Sequence, residues 1–246
     1  MPLAPKRAIS TFRYAVFFDG IDDYAVTSSF MLGSQAFSYG FAIRKIFPNC
    51  GAGWEWIVHK SYTGVWYGEF SATLERDGRS AFRIRGADNV EYYTYYHYAE
   101  DLNWHDVFFV YNITYRQIYV DGNFVRSASG PSARAIANSA LMLGRHGDGV
   151  HYPFHMSYFT LYSRDLSESE IRHNRVYLLN PIRNGLVVWL YAHPDYIRDI
   201  DGDGVLEWID LSGFNNHAKL YGARLVELIK TPSRTISTIR VSPVAR

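Results

Sequence analysis

The 246-residue chain contains one cysteine, Cys50, which excludes an intrachain disulfide framework and any zinc site built on a cysteine cluster. Charge of either sign is equally scarce in the balance. Lys plus Arg number 25 against 24 Asp plus Glu, leaving +1, so nothing draws the molecule as a whole to nucleic acid or to an anionic membrane. No segment approaches the roughly 18 unbroken apolar residues of a spanning helix, and the opening Met-Pro-Leu-Ala-Pro-Lys-Arg lacks the apolar stretch of a secretory leader. The chain reads as soluble, leaderless and without a membrane span. Missing too are H-E-x-x-H, G-x-S-x-G and a phosphate-cradling glycine loop, so nucleophilic hydrolysis has no support in the motifs.

Aromatic residues are what the chain has in excess. Tyr, Phe and Trp occur 20, 15 and 6 times, 17% of the chain, more than a packed core requires. Such a surplus suits half-buried strands and faces that bind sugars or proteins, because Tyr and Trp join an apolar plane to a polar rim. A hydrophobic share of 48% permits a sizeable core and excludes wholesale disorder. The length fits one large all-β domain, the expectation adopted for residues 1–246.

Alternating or β-branched runs bounded by Gly, Asn, Asp and Pro predict strands near Arg13–Phe18, Tyr24–Thr27, Phe37–Ile46, Trp54–His59, Val65–Leu74, Ala81–Arg85, Glu91–Tyr98, Trp104–Tyr111, Gln117–Val120, Asn123–Ala128, Ala140–Leu143, Phe154–Tyr162, Leu186–Tyr191, Ala218–Tyr221 and Thr235–Val241. One helix is expected, capped by Ser167 and running toward Leu179 before Pro181. Asp77-Gly78 and Asp121-Gly122 predict tight hairpins. The continuous apolar run inside Trp104–Tyr111 predicts a strand buried on both faces.

Five segments then stand out: Phe18-Asp-Gly-Ile-Asp-Asp-Tyr24; Trp104-His-Asp-Val-Phe-Phe-Val-Tyr111 followed by Ile118-Tyr-Val-Asp-Gly122; Leu143-Gly-Arg145; Phe159-Thr-Leu-Tyr162 leading into Asp165-Leu-Ser-Glu-Ser-Glu-Ile171; and Gly185-Leu-Val-Val-Trp189 with Asp210-Leu-Ser-Gly-Phe-Asn-Asn-His217 and Leu220-Tyr-Gly-Ala223. In residues and internal spacing this set resembles the laminin-G-like, concanavalin A-like jelly rolls. The resemblance implies an all-β sandwich of two curved antiparallel sheets. It also implies binding of glycans or proteins, often with calcium, although glycan hydrolases share the fold.

The order of the segments departs from that family, where the Gly-Leu-Val-Val-Trp and Asp-Leu-Ser-Gly pieces lead into Phe-Asp-Gly. Here they follow the helix, as in a circular permutation or the start of a truncated second copy, which marks 185–246 as a permuted or overlapping segment. Residues 5–13 and 232–240 share six of nine positions at an offset of 227, from 5 to 232. Either the match is chance, or the C-terminal copy docks on another subunit by strand exchange, giving a homo-oligomer.

The strongest chemical motif is Asp199-Ile-Asp-Gly-Asp-Gly-Val-Leu-Glu-Trp-Ile-Asp210. Asp199, Asp201 and Asp203 stand at the first, third and fifth positions of an EF-hand-type calcium loop, Gly204 at the sixth, the Val205 carbonyl at the seventh, Glu207 at the ninth and Asp210 at the twelfth. Ca2+ is the expected cofactor. The alternative is a solvated acidic turn in which Asp210 belongs only to the Asp-Leu-Ser-Gly segment. For Asp19, Asp22 and Asp23 turn chemistry is favoured over metal binding. His146, His151 and His155 read as loop histidines more than as a transition-metal site.

A glycosidase needs two carboxylates about 5 to 9.5 Å apart, whereas Glu69 and Glu75, six residues apart, would lie roughly 20 Å apart on a straight strand. Glu55 and Glu91 are the remaining partners. The chain is therefore read as non-enzymatic. The candidate ligand face is the run Tyr92-Tyr-Thr-Tyr-Tyr-His-Tyr98 with Trp54, Trp56, Trp66 and Tyr67: strand alternation puts Tyr93, Tyr95 and His97 on one face and Tyr92, Tyr96 and Tyr98 on the other, one row filling core and the other suited to sugar stacking or a subunit interface. Two functions compete. One is a lectin-type module recognising glycans or protein surfaces; the other is a self-assembling structural protein of a virion or extracellular surface.

Overall fold

The computed structural model describes residues 12–47, 54–61, 69–75, 80–98, 101–131, 133–134, 137–145 and 152–228, with the side chains of 54, 55, 61 and 75 excepted. Among the described residues eighteen strands, numbered in chain order, form two antiparallel sheets. The first runs from edge to edge through β11 (Asn123–Ser129), β10 (Tyr115–Val120), β9 (His105–Asn112), β4 (Phe37–Lys45), β13 (Pro153–Tyr162), β1 (Tyr14–Asp19) and β18 (Arg224–Glu227), with β14 (Leu186–Tyr191) alongside β13. The second runs through β15 (Ile197–Arg198), β16 (Glu207–Trp208), β17 (Ala218–Tyr221), β2 (Tyr24–Thr27), β12 (Asn138–Leu143), β5 (Trp54–Ser61), β6 (Phe70–Glu75), β7 (Ser80–Arg85) and β8 (Glu91–Tyr95), with β3 (Phe30–Met31) on β12. All sheet pairings are antiparallel, and the architecture is the expected concanavalin A-like sandwich.

Alternation along each strand builds the core. Phe37, Tyr39 and Phe41 of β4, Val107, Phe109 and Tyr111 of β9, and Phe70, Phe82 and Ile84 opposite them fill the space between the sheets. Aromatic rings carry much of this packing: the Tyr39 ring lies 5.0 Å from both Phe70 and Phe109. The double-sided reading of β9 holds, because Phe108 and Val110 point away from the sandwich into a second apolar cluster. Gly40 is required there: a Cβ at that position would come within 2.3 Å of the Phe108 ring.

That second cluster is roofed by helix α1 (Glu168–Val176), the one α-helix among the described residues, which lays Ile171 over Phe108, Tyr162 and Trp189. Ser167 caps it as expected, in a reciprocal capping box with Glu170. Arg164 grips the Glu170 carboxylate with both terminal nitrogens, and that contact, with the Ser167 bonds, holds the Glu170 pKa down at about 2. The helix stops at Val176, short of the expected Leu179. The chain turns at Tyr177 and brings Leu178 down against a third cluster of Phe12, Ala42 and Tyr158, so tertiary packing ends the helix before Pro181 does.

The hairpin at Asp121-Gly122 is present, with both residues at positive φ, 53° and 75°. Sequence reasoning missed β3, β15 and β16, each two residues long, and β18. The segments after the helix join the same sandwich: β14 pairs with β13, β17 with β2 and β18 with β1. Among the described residues no helix is long and apolar enough to cross a membrane. The Asp77-Gly78 turn, Cys50, Trp66, Tyr67, His146, His151 and the repeat at 232–240 lie outside the described residues.

Candidate functional site

Register alone defines the outward face of the second sheet. Glu207, Lys219, Val26, Met142, His59, Ser71, Arg83 and Tyr93 pair in unbroken succession from β16 to β8. Their sequence neighbours Trp208, Ala218, Ala25, Leu141, Leu143, Val58, Ala72 and Phe82 fill the core, so this row projects away from it. Its middle is buried, with Met142, His59, Ser71 and Arg83 all covered. Lys219 toward one end and Tyr93 at the other are more open, and each stands beside one of the sequence-predicted sites.

At the β8 end the expected split of the tyrosines is observed. Tyr92 and Tyr96 pack against the core, and Tyr98 is buried in it, its hydroxyl donating to the Thr73 carbonyl at 2.9 Å. Tyr93 and Tyr95 turn outward, half-buried, with rings stacked at 5.8 Å and only 3° from parallel; His97 beyond them is exposed. The Arg83 guanidinium lies between two rings, 4.9 Å from Tyr93 and 4.6 Å from Trp56. Burial and a short hydrogen bond to Glu91 raise the Tyr93 pKa, so the hydroxyl stays protonated as a donor. A flat apolar plane with a cation behind it and hydroxyls at its rim can stack on a sugar ring or an aromatic side chain.

At the other end, Asp199, Asp201 and Asp203 converge, one carboxylate oxygen from each lying within 4.8 Å of the others. The loop is held by its own amides: Asp199 accepts from Gly202 and Gly204 at 2.7 and 3.0 Å, and Asp203 accepts from Val205 at 2.8 Å. Gly202 and Gly204 adopt φ of 77° and 86°, the left-handed conformation that glycine permits. Lys219, from β17, reaches over the loop and donates to Asp201 at 2.8 Å and to Asp203, so the Asp203 pKa is lowered by that ammonium. This group can hold a metal ion.

The other two acids of the motif are elsewhere. Asp210 is buried and accepts four hydrogen bonds, from the Trp189, Ser212 and Asn216 amides and the Ser212 hydroxyl, between 2.7 and 2.9 Å. Glu207 lies on the sheet face, 7% exposed. Asp19, Asp22 and Asp23 form a second convergent group, and two of them make the expected turn bonds, from Asp19 N–H to Asp23 and from Ile21 N–H to Asp19. His155 is half-buried beside Phe17 and Trp104, and desolvation together with Arg44 pushes its pKa down to about 4.

Sequence reasoning missed a buried carboxylate held between two cations. Glu69 is buried between Lys60 at 2.8 Å and Arg134 at 2.6 Å, and also accepts from the Ser139 hydroxyl. Lys60 and Arg134 spend their remaining donors on the carbonyls of Phe30, Leu32, Ser34, Gln35 and Ser139. No local pattern signals this cluster, since its members are 65 and 9 residues apart.

Sheet order, core and roofing helix define a concanavalin A-like β-sandwich. A family model described as Laminin_G_3, concanavalin A-like lectin/glucanases superfamily, matches residues 19–172, and the chain belongs to that family. No curated protein matches the chain significantly. Among solved structures it is similar to a putative carbohydrate binding protein from Bacteroides ovatus, with a TM-score of 0.62, 15% identity and coverage of 88% of this chain and 60% of that one. It is also similar to a heptameric SAP-like pentraxin from Limulus polyphemus, at a TM-score of 0.52 and 10% identity over 70% of this chain and 84% of that one. The binding domain of botulinum neurotoxin serotype D aligns at a TM-score of 0.53 and 13% identity, covering 66% of this chain but 42% of that one, so the match spans less than half of that binding domain's length. These likenesses establish the fold.

Proposed function

We propose that this chain is a non-enzymatic, lectin-type binding module that recognises glycans or protein surfaces at the β8 end of its second sheet. The observation that carries the reading is the outward Tyr93–Tyr95 stack backed by Arg83 and Trp56. Its chemistry is recognition by stacking and polar contact at the rim; among the described residues Glu69 is locked between two cations, and Glu91 accepts from Tyr93. Similarity to a putative carbohydrate binding protein supports the glycan branch. An extracellular or virion surface is the setting we infer.

In the same reading Asp199, Asp201 and Asp203 hold Ca2+, with the Val205 carbonyl and water completing a set of oxygen ligands suited to a hard cation. The ion's contribution is to neutralise three clustered carboxylates and fix the loop. Glycan-array and immobilised-protein screens, run with calcium and with chelator, test the module. Binding that is lost in Tyr93→Ala and Tyr95→Ala, with thermal stability kept, is the expected result. A ligand retained at full affinity by both variants would move the site elsewhere.

A further inference from the structure

The sheet face next to the acidic loop contains a mismatch of partners. Glu207 is more than nine-tenths buried, and its Oε2 is enclosed without a hydrogen bond, a costly state for a carboxylate oxygen. Directly across from it in register stands Lys219. Trp208 and Ala218, the next pair along, are buried in the core, so Glu207 and Lys219 leave the sheet on the same, outward side. Opposed residues of an antiparallel pair bring their Cβ atoms to about 4.5–5.5 Å, close enough for a Lys–Glu ion pair. Yet the Lys219 ammonium is turned the other way, onto Asp201 and Asp203. Arg198, paired with Glu207 on its other side, is exposed and makes no bond to it.

We infer that Lys219 is an exchangeable counter-ion: its ammonium neutralises Asp201 and Asp203 while the loop holds no metal, and moves to Glu207 when a divalent cation takes the loop. The inference rests on the calcium reading of Asp199, Asp201 and Asp203. It follows from charge. A divalent ion and an ammonium compete for the same two carboxylates, and the displaced ammonium has an unsatisfied carboxylate oxygen within reach of its flexible four-carbon stem. Glu207, at the ninth position of the loop, then acts as the acceptor for the displaced lysine and not as a ligand.

Calcium titration by calorimetry on the full chain, with the metal ion alone as probe, tests the exchange in wild type, Lys219→Met, Glu207→Gln and the double variant. Removing the competitor in Lys219→Met is expected to tighten binding by about twofold to fivefold, the range open to exposed ion pairs. Glu207→Gln is expected to weaken binding about threefold when Lys219 is present, by removing its alternative partner, and to have no effect in the Lys219→Met background. Equal weakening in both backgrounds would make Glu207 a metal ligand and overturn the exchange. Equal affinities in wild type and Lys219→Met would overturn it while leaving the calcium site standing. Absence of calcium binding in both proteins would remove the calcium reading itself, and the exchange with it.

Discussion

Two lysine–carboxylate clusters in this sandwich use the same groups to opposite ends. Around Glu69 the ions are buried, Lys60 at 0% and Glu69 at 2% side-chain exposure, and the Lys60 ammonium also donates to the carbonyls of Phe30 and Ser139. Around Lys219 the acids are 43% and 50% exposed, water competes for each bond, and salt screens the attraction. Burial pulls the Lys60 pKa down, and Glu69 opposes that shift. The comparison separates an ion cluster that fixes a fold, by tying the 30–35 segment to the second sheet, from one free to trade partners.

The largest effect expected is at the buried cluster. Glu69→Gln leaves two buried cations without their anion and is expected to cost about 3–5 kcal/mol in urea denaturation. A loss below about 1 kcal/mol, the scale of exposed pairs, would erase the distinction.

Asp106 sharpens the comparison with a buried carboxyl whose cation does not bond it. It accepts from the Tyr158 hydroxyl at 2.6 Å, but its Oδ1 and the nearby Arg175 Nε are both buried and unpartnered. Burial pushes its pKa up to about 7 despite Arg175. Because the folded pKa lies above the unfolded value of 3.8, this group's contribution is fully present below that value and is lost as pH rises toward 7. Asp106→Asn should therefore gain stability relative to wild type between pH 4 and pH 8, on the order of 2 kcal/mol after allowing for relaxation around the buried charge. His155 works in the opposite sense, losing stability as pH falls from 6.5 toward about 4, but it is common to both proteins and cancels in the difference. A constant gap across that pH range in thermal melts would show that Asp106 does not titrate in the folded state.

The smallest effect is expected at the exposed cluster. Lys219→Met should leave the denaturation midpoint in chelator unchanged within error, at low and high salt alike. A marked drop at low salt would make Lys219 a structural tie like Lys60, and the two clusters would no longer differ in kind.

Local patterning made most of the fold legible. β2, β14 and β17 match their expected limits because each is bounded by turn residues and carries an uninterrupted strand signal. The two-residue strands escaped because their pairing comes from neighbours, not from propensity. In the candidate site, the divided tyrosine row was legible because β alternation is local. The loop was half legible: spacing identified Asp199, Asp201 and Asp203, but could not show that Asp210 is bonded to the amides of the turn it begins, or that a lysine from β17 enters.

By itself the sequence determined the all-β class, the family, the capped helix and the convergence of three aspartates, since each depends on residues close together in the chain. Only the tertiary structure decided which tyrosines face outward beside Arg83, which carboxylate is locked between Lys60 and Arg134, and which cation serves the acidic loop. Those outcomes are set by register across strands and by burial, and neither can be read from any stretch of chain taken alone.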